Sequence, residues 1–210
     1  MLNDAEFESV YGRWKPCRPA DAAALFDGYR RRWWIAGGWC LEAFTGVERH
    51  LEDLDASVLL SDLPALRHHL TGRLHVWMAS SGALKPLLPH DRPSEPSDAL
   101  LIPGCNQLWT REDATQPWEY DVLLSPGSAD EWIYRRDHGI RMPMSSALWE
   151  RDGIRYLQPE IQLLYKARGQ RSKDDEDFNA TLPFLNADRR EWLRVALERT
   201  VPGHSWLRSL

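Results

Sequence analysis

Between Asp53 and Leu60 the chain reads Asp-Leu-Asp-Ala-Ser-Val-Leu-Leu, and no other stretch constrains the fold as much. Successive side chains of a strand point to opposite faces, so Asp53, Asp55 and Ser57 share one face and Leu54, Ala56 and Val58 the other. The apolar face requires a core beneath it. The acidic face requires water, a cation or a partner. Two carboxylates in this spacing stand about 7 Å apart at their Cα atoms, so their oxygens can converge on one hard cation. Unneutralised, two such charges repel and one pKa rises. Mg²⁺ suits the pair, because it takes oxygen ligands, needs only one or two carboxylates, and fills its shell with substrate phosphates. A D-x-D pair alone is also what the solvated face of an edge strand looks like.

The surroundings sharpen the reading. Upstream, the apolar run Trp33 to Ala36 reads as a strand that enters Gly37-Gly38, and Trp39 to Thr45 reads as a helix ended by Gly46. Such a turn lets backbone N–H groups approach phosphate oxygens, with the helix N-terminus adding positive potential. A plain tight turn is the structural alternative. Downstream, Trp118 to Leu124 reads as a strand with Asp121 in an otherwise apolar run, where an unpaired carboxylate is costly. A salt bridge from Asp121 to Arg135, Arg136 or Arg141 is the alternative there. Glu119 shares the strand face with Asp121, and pleat geometry does not choose between them; Asp121 lies deeper in the apolar run.

Elsewhere the pattern predicts a helix over Asp21 to Arg32, capped by Asp21, and strands at Leu74 to Ala79, Gln107 to Arg111, Glu131 to Arg135 and Ile154 to Leu157. Ser81 to Asn106, rich in Pro, Gly, Ser and Asp, reads as a long loop or loose hairpin. After Pro159 the chain turns helical: Glu160 to Arg168, Lys173 to Leu185 with an interruption near Pro183, and Asn186 to Arg199. The expectation is an α/β (α+β) protein, with a mixed-sheet core over residues 1–157 and a helical subdomain packed on it over 158–210.

The 26 Lys and Arg against 31 Asp and Glu leave a net charge of -5, which argues against a nucleic-acid partner. No apolar run reaches the length of a membrane helix, and the acidic N-terminus lacks a secretory pattern, so a cytoplasmic location is expected. Cys17, Cys40 and Cys105 form no disulfide or zinc spacing.

An apolar strand, Gly37-Gly38, a helix, the strand bearing Asp53 and Asp55, and a later strand bearing a third acid: this order resembles the nucleotidyltransferase superfamily that contains DNA polymerase β. The wider text is most similar to its small-molecule branch, the aminoglycoside 2''-adenylyltransferase-like and lincosamide-modifying proteins. The stretches that carry the likeness are WWIAGGWCLEAFTG, RHLEDLDASVL, WIYRRDHGIRMP, YLQPEIQLLYKAR, KDDEDFNATLPFL and PGHSWL. Trp39 stands where many members of the superfamily have Ser, so contacts at that turn fall to the backbone. The stretch from His75 to Gln116, where acceptor specificity is expected, matches only loosely.

The resemblance implies a nucleotidyltransferase-type sheet and Mg²⁺-dependent transfer of a nucleoside monophosphate, AMP from ATP, to a hydroxyl of a small polar, aminoglycoside-like acceptor. It assigns Asp53, Asp55 and Asp121 to the metal and the chemistry. It assigns Gly37, Gly38, Trp39 and Lys166 to the nucleotide, Lys166 resembling a lysine that the family places near the phosphates. The alternatives are a toxin-type relative that modifies a protein or RNA, and a catalytically silent nucleotide-binding module.

Overall fold

The structure, a computed structural model, describes residues 3–48, 51, 53–91, 100–169 and 171–210. It opens with helices α1 (Asp4–Tyr11) and α2 (Pro19–Leu25), strand β1 (Trp33–Ile35), helix α3 (Gly37–Thr45) and strand β2 (Asp55–Leu59). Helix α4 (Leu63–Leu70) leads into β3 (His75–Ser80), β4 (Ala83–Leu87), β5 (Gln107–Arg111) and β6 (Tyr120–Ser125). A ribbon of β7 (Glu131–Ile133) and β8 (Arg141–Pro143) precedes a short α5 (Met144–Ala147) and the hairpin β9 (Leu148–Arg151) and β10 (Ile154–Leu157). Helices α6 (Pro159–Lys166), α7 (Ser172–Thr181) and α8 (Ala187–Thr200) follow.

Eight strands form one mixed sheet in the order β4-β3-β5-β6-β2-β1-β10-β9. The β2–β6 and β1–β10 pairs are parallel and the other neighbours antiparallel. This matches the expected mixed α/β class and puts β2 beside β6, between the two halves of the sheet. Leu54, Ala56 and Val58 are fully buried, as are Leu63, Leu66 and Leu70 of α4. In α4 these recur at the three- and four-residue spacing of one helix face. Helix α6 has Pro159 in its first turn and buries Ile161, Gln162, Leu163 and Leu164 in succession. It is therefore an interior helix, and it packs against α3, α7 and α8. One hydrophobic cluster runs from Cys40 and Leu41 of α3 through Leu163 and Leu164 to Leu193 and Leu197 of α8. Trp34 lies in it, with Trp33 packed on its margin. All three cysteines are free.

A second, smaller cluster joins Trp109, Trp118 and Ala79 to Phe7, Tyr11, Trp14 and Trp77. The N-terminal segment thus lies against β3 and β5.

One expected helix is shorter, the expected loop or loose hairpin holds a regular hairpin, and two strands had no counterpart in the sequence pattern. The helix placed over Asp21 to Arg32 runs only over Pro19–Leu25. Asp21 sits inside its first turn, where its carboxylate accepts the Arg18 N–H at 2.7 Å, and Gly28, at φ 74°, ends any helical continuation. The stretch from Ser81 contains a true hairpin: Ser81 and Gly82, both at positive φ, turn β3 into β4. Residues 92–99 of that stretch lie outside the described residues. Strands β8 and β9 were not expected at all.

Among the described residues no helix is long and apolar enough to cross a membrane.

Candidate active site

Parallel pairing of β2 with β6 makes Asp121 the register partner of Asp55, and Leu123 that of Ser57. Register partners in a sheet point to the same face about 4.8 Å apart. Asp55 and Asp121 therefore form an acidic pair on the face opposite the Leu54–Val58 core. Asp53 lies just ahead of β2 and is exposed.

The pair is electrostatically loaded. Burial, and after it the Asp53 charge, pushes the Asp55 carboxyl up to about 7, while Lys166, Arg171 and Lys173 pull it down. Burial first, then Asp55 and Asp53, holds Asp121 well above the usual carboxylate range, with the Trp109 indole opposing. Asp121 Oδ1 and Trp109 Nε1 are both buried without a hydrogen bond of good geometry.

The positions of other charged groups bear on the alternatives. Glu119 points away, to Lys15 Nζ at 3.0 Å. Arg135 donates to Asn106 Oδ1, Arg136 to the Tyr165 carbonyl, and Arg141 to Glu131 and to the His138 carbonyl. No described arginine forms a salt bridge with Asp121.

The glycine turn is welded to this pair. Gly37 sits at φ 64°, and a Cβ built there falls 1.7 Å from Asp55 Oδ2. Only glycine lets the first turn of α3 lie on that carboxylate. The Gly37 N–H donates to Gln162 Oε1 of α6 at 2.9 Å. The first glycine's N–H is thus spent inside the protein. The N-cap residue, Ala36, has no capping side chain, and Gln162 takes that place by accepting from the first N–H of α3. Trp39, half-buried, packs against the core with its Nε1 lacking a hydrogen-bond partner.

Lys166 is not an open cation. Its Nζ lies 2.6 Å from Asp177 and 3.5 Å from Asp174, with 11% of the side chain exposed. It acts on Asp55 through space, from within an ion-pair network. Arg171 and Lys173, both exposed, supply positive charge to the same carboxylates, Arg171 while paired with Asp174. A cavity of about 120 Å³ opens beside Asp55, lined among others by Gly37, Ser57, Asn106, Arg135 and Gln162.

Sequence reasoning missed Gln162, Arg171, Lys173 and Asn106. Gln162 had a signal: it lies one helical turn before Lys166, on the same side of α6. The others come from loops and helix starts whose placement only the fold supplies.

The donor set fits a hard cation. Two carboxylates side by side, one with an unpartnered buried oxygen, offer ligands that repel unless neutralised. Among the described residues no three acidic, His or Cys side chains gather into a closed cage.

The fold has solved counterparts. The solution structure of the antibiotic-resistance factor ANT(2'')-Ia matches at a TM-score of 0.52 and 16% identity, covering 86% of this chain and 89% of that one. The crystal structure of ANT(2'')-Ia with adenylyl-2''-tobramycin gives a TM-score of 0.52 at 16% identity, over 84% of this chain and 92% of that one. Lincomycin-bound LnuA, a lincosamide antibiotic adenylyltransferase, gives 0.53 at 13% identity, over 82% of this chain and 99% of that one. This chain has the nucleotidyltransferase fold. No protein-family model matches its sequence, and no curated protein matches it. At such identities the likeness carries the architecture, and the chemistry rests on the residues themselves.

Proposed function

We propose that the protein transfers a nucleoside monophosphate, AMP from ATP, to a hydroxyl of a small acceptor. The observation that carries this reading is the register pairing of Asp55 with Asp121 beneath a glycine turn that no other residue can make. The solved neighbours are an adduct-bound aminoglycoside adenylyltransferase and a lincosamide one, which favours a small hydroxylated acceptor.

In this reading Asp53 and Asp55, with Asp121 beside them, hold Mg²⁺, which when bound neutralises charge on the triphosphate and on the departing pyrophosphate. The chain's own residues do the rest. The N-terminus of α3 together with Arg171 and Lys173 draws the phosphates over Asp55. Lys166 keeps that electropositive rim in place through Asp174 and Asp177. With the Asp55 charge neutralised, Asp121 is ionised and takes the acceptor's hydroxyl proton. The freed oxygen forms a bond to the α-phosphorus as the bond from that phosphorus to the bridging oxygen breaks. Pyrophosphate leaves with the electron pair. Most of the rate comes from positioning and charge neutralisation.

The test is pyrophosphate release from each of the four nucleoside triphosphates, with and without Mg²⁺, against a panel of hydroxylated acceptors. Expected is acceptor-dependent release that requires Mg²⁺, is fastest with ATP and is absent in Asp55→Asn. Release that persists in Asp55→Asn, or none with any combination, overturns the reading.

A further inference from the structure

On the side of Asp121 away from Gly37 the sheet carries a second opening, of about 320 Å³. Trp109, the register partner of Asp121 across β5 and β6, lines it together with Phe7 and Tyr11 of α1. The rings of Phe7 and Tyr11 stand 5.8 and 6.1 Å from Trp109, centroid to centroid. The Tyr11 hydroxyl donates to the Gly82 carbonyl at 2.8 Å, which ties the N-terminal helix to the β3–β4 turn. Trp109 is 8% exposed, and its indole lies beside Asp121, whose carboxyl it helps hold down.

Asn106 belongs to this opening and to the cavity beside Asp55. Its Oδ1 accepts from Arg135 at 2.5 Å, which directs the amide nitrogen to act as a donor. The two spaces therefore meet at one amide, but their chemistry differs. The cavity beside Asp55 includes a guanidinium and a carboxylate. None of the described residues lining the aromatic opening is Asp, Glu, Lys, Arg or His.

In-line displacement at phosphorus puts the attacking and leaving oxygens on opposite sides. With the phosphates drawn to Gly37 and α3, the attacking hydroxyl arrives from the Trp109 side. Resting on the nucleotidyl-transfer reading, we propose that the aromatic opening is the acceptor subsite. Its occupant is an uncharged, hydroxylated ring compound with one apolar face. Aromatic walls suit the apolar face, and amide donors fix the orientation of its hydroxyls. A polycation meets no carboxylate in this opening, and its ammonium groups lose hydration without compensation. The assignment departs from the aminoglycoside-like acceptor expected from the resemblance.

Calorimetric titration of the full chain with two probes tests this: phenyl β-D-glucopyranoside, and the polyamine neamine. The glucoside is expected to bind saturably and at least about tenfold more tightly than neamine. Phe7→Ala is expected to weaken the glucoside about tenfold, the loss of one favourable aromatic contact. Phe7→Leu, which keeps an apolar side chain on α1 and loses only the ring, is expected to weaken it in the same direction. The rise in melting temperature with Mg²⁺ and ATP stays at the wild-type value in both variants. Equal or tighter neamine binding, no saturable glucoside binding, or wild-type affinity in both variants overturns the subsite. A chain that binds the glucoside as expected, but neither responds to Mg²⁺ and ATP nor releases pyrophosphate, keeps the opening's chemistry and defeats the transfer reading instead.

Discussion

Asp55 and Asp121 stand side by side in a parallel strand pair, and the charge of Asp55, after burial, is what lifts the Asp121 carboxyl. The protein folds with this repulsion built into its sheet. The face that bears it is the one on which Gly37 rests. Like charges buried side by side are the pattern expected of a site shaped by chemistry rather than packing.

The first consequence is a pH dependence with a definite sign. Asp55 has an ordinary pKa in the unfolded chain and one of about 7 when folded. Below the unfolded value both states carry the proton and folding costs nothing there. Between that value and 7 the folded carboxyl keeps a proton that the unfolded chain gives up, so stability falls across this window and levels off above 7. Metal-free wild type is expected to melt several degrees below Asp55→Asn at pH 8, and level with it near pH 4, with about 2–4 °C per kcal/mol for a chain of this size. Mg²⁺ closes the gap at pH 8. Differential scanning calorimetry checks all three.

The third acid is tested by comparison. Asp121→Asn is expected to reduce turnover by about 10²–10⁴-fold, the loss of a positioned base, while the fold is retained. Glu119→Gln breaks only the pair with the exposed Lys15, worth about 1 kcal/mol at most, and should leave turnover within a few-fold of wild type. Steady-state kinetics at saturating Mg²⁺ decides; an inactive Glu119→Gln beside a normal Asp121→Asn reverses the assignment.

Gly37→Ala imposes two costs. Left-handed backbone is unfavourable for alanine by about 1–2 kcal/mol. The new methyl group also occupies the space of Asp55 Oδ2, so the carboxylate or the helix must shift. Activity is expected to fall further than stability, by about 100-fold or more, because displacement of about 1 Å at a reacting centre has that effect. Gly153→Ala, also at positive φ but with open space around its Cβ, serves as the control for strain alone. It should destabilise and leave kcat unchanged.

Gln162→Ala leaves the buried Gly37 N–H without an acceptor, at about 1–3 kcal/mol. A drop in melting temperature together with weakened Mg²⁺–ATP binding is expected. Unchanged nucleotide affinity in a destabilised variant would show that the bond supports the fold and not the site.

Much of the frame was legible because it rests on period and punctuation. The alternation from Asp53 to Val58, the Gly46 stop and the Pro159 start each have a local cause. Gln107–Arg111 and Ile154–Leu157 were readable to the residue for the same reason. The hairpin between β9 and β10 was missed although its signal was present: Asp152-Gly153, both at positive φ, is a favoured two-residue turn. Strand β8 has three residues and a single partner, too short to show a period. In the site, Asp55 and Asp121 lie on regular strands, Asp53 falls just ahead of β2 and not on it as expected, and Gln162, Arg171 and Asn106 reach the site only through tertiary packing. The choice between Asp121 and Glu119 needed the strand register, which no local pattern encodes.

The hydrogen bond from Gly37 to Gln162 spans 125 residues of sequence. A contact of that separation forms only after a large loop has closed, and its entropy cost falls on whatever completes it. During synthesis the strand with Asp55 leaves the ribosome long before α6 exists to receive the glycine's N–H. A nascent chain has the acidic strand but not the turn held against it. A chain cut short before Pro159 therefore lacks the acceptor that holds the Gly37 N–H, and the glycine turn loses its anchor on α6.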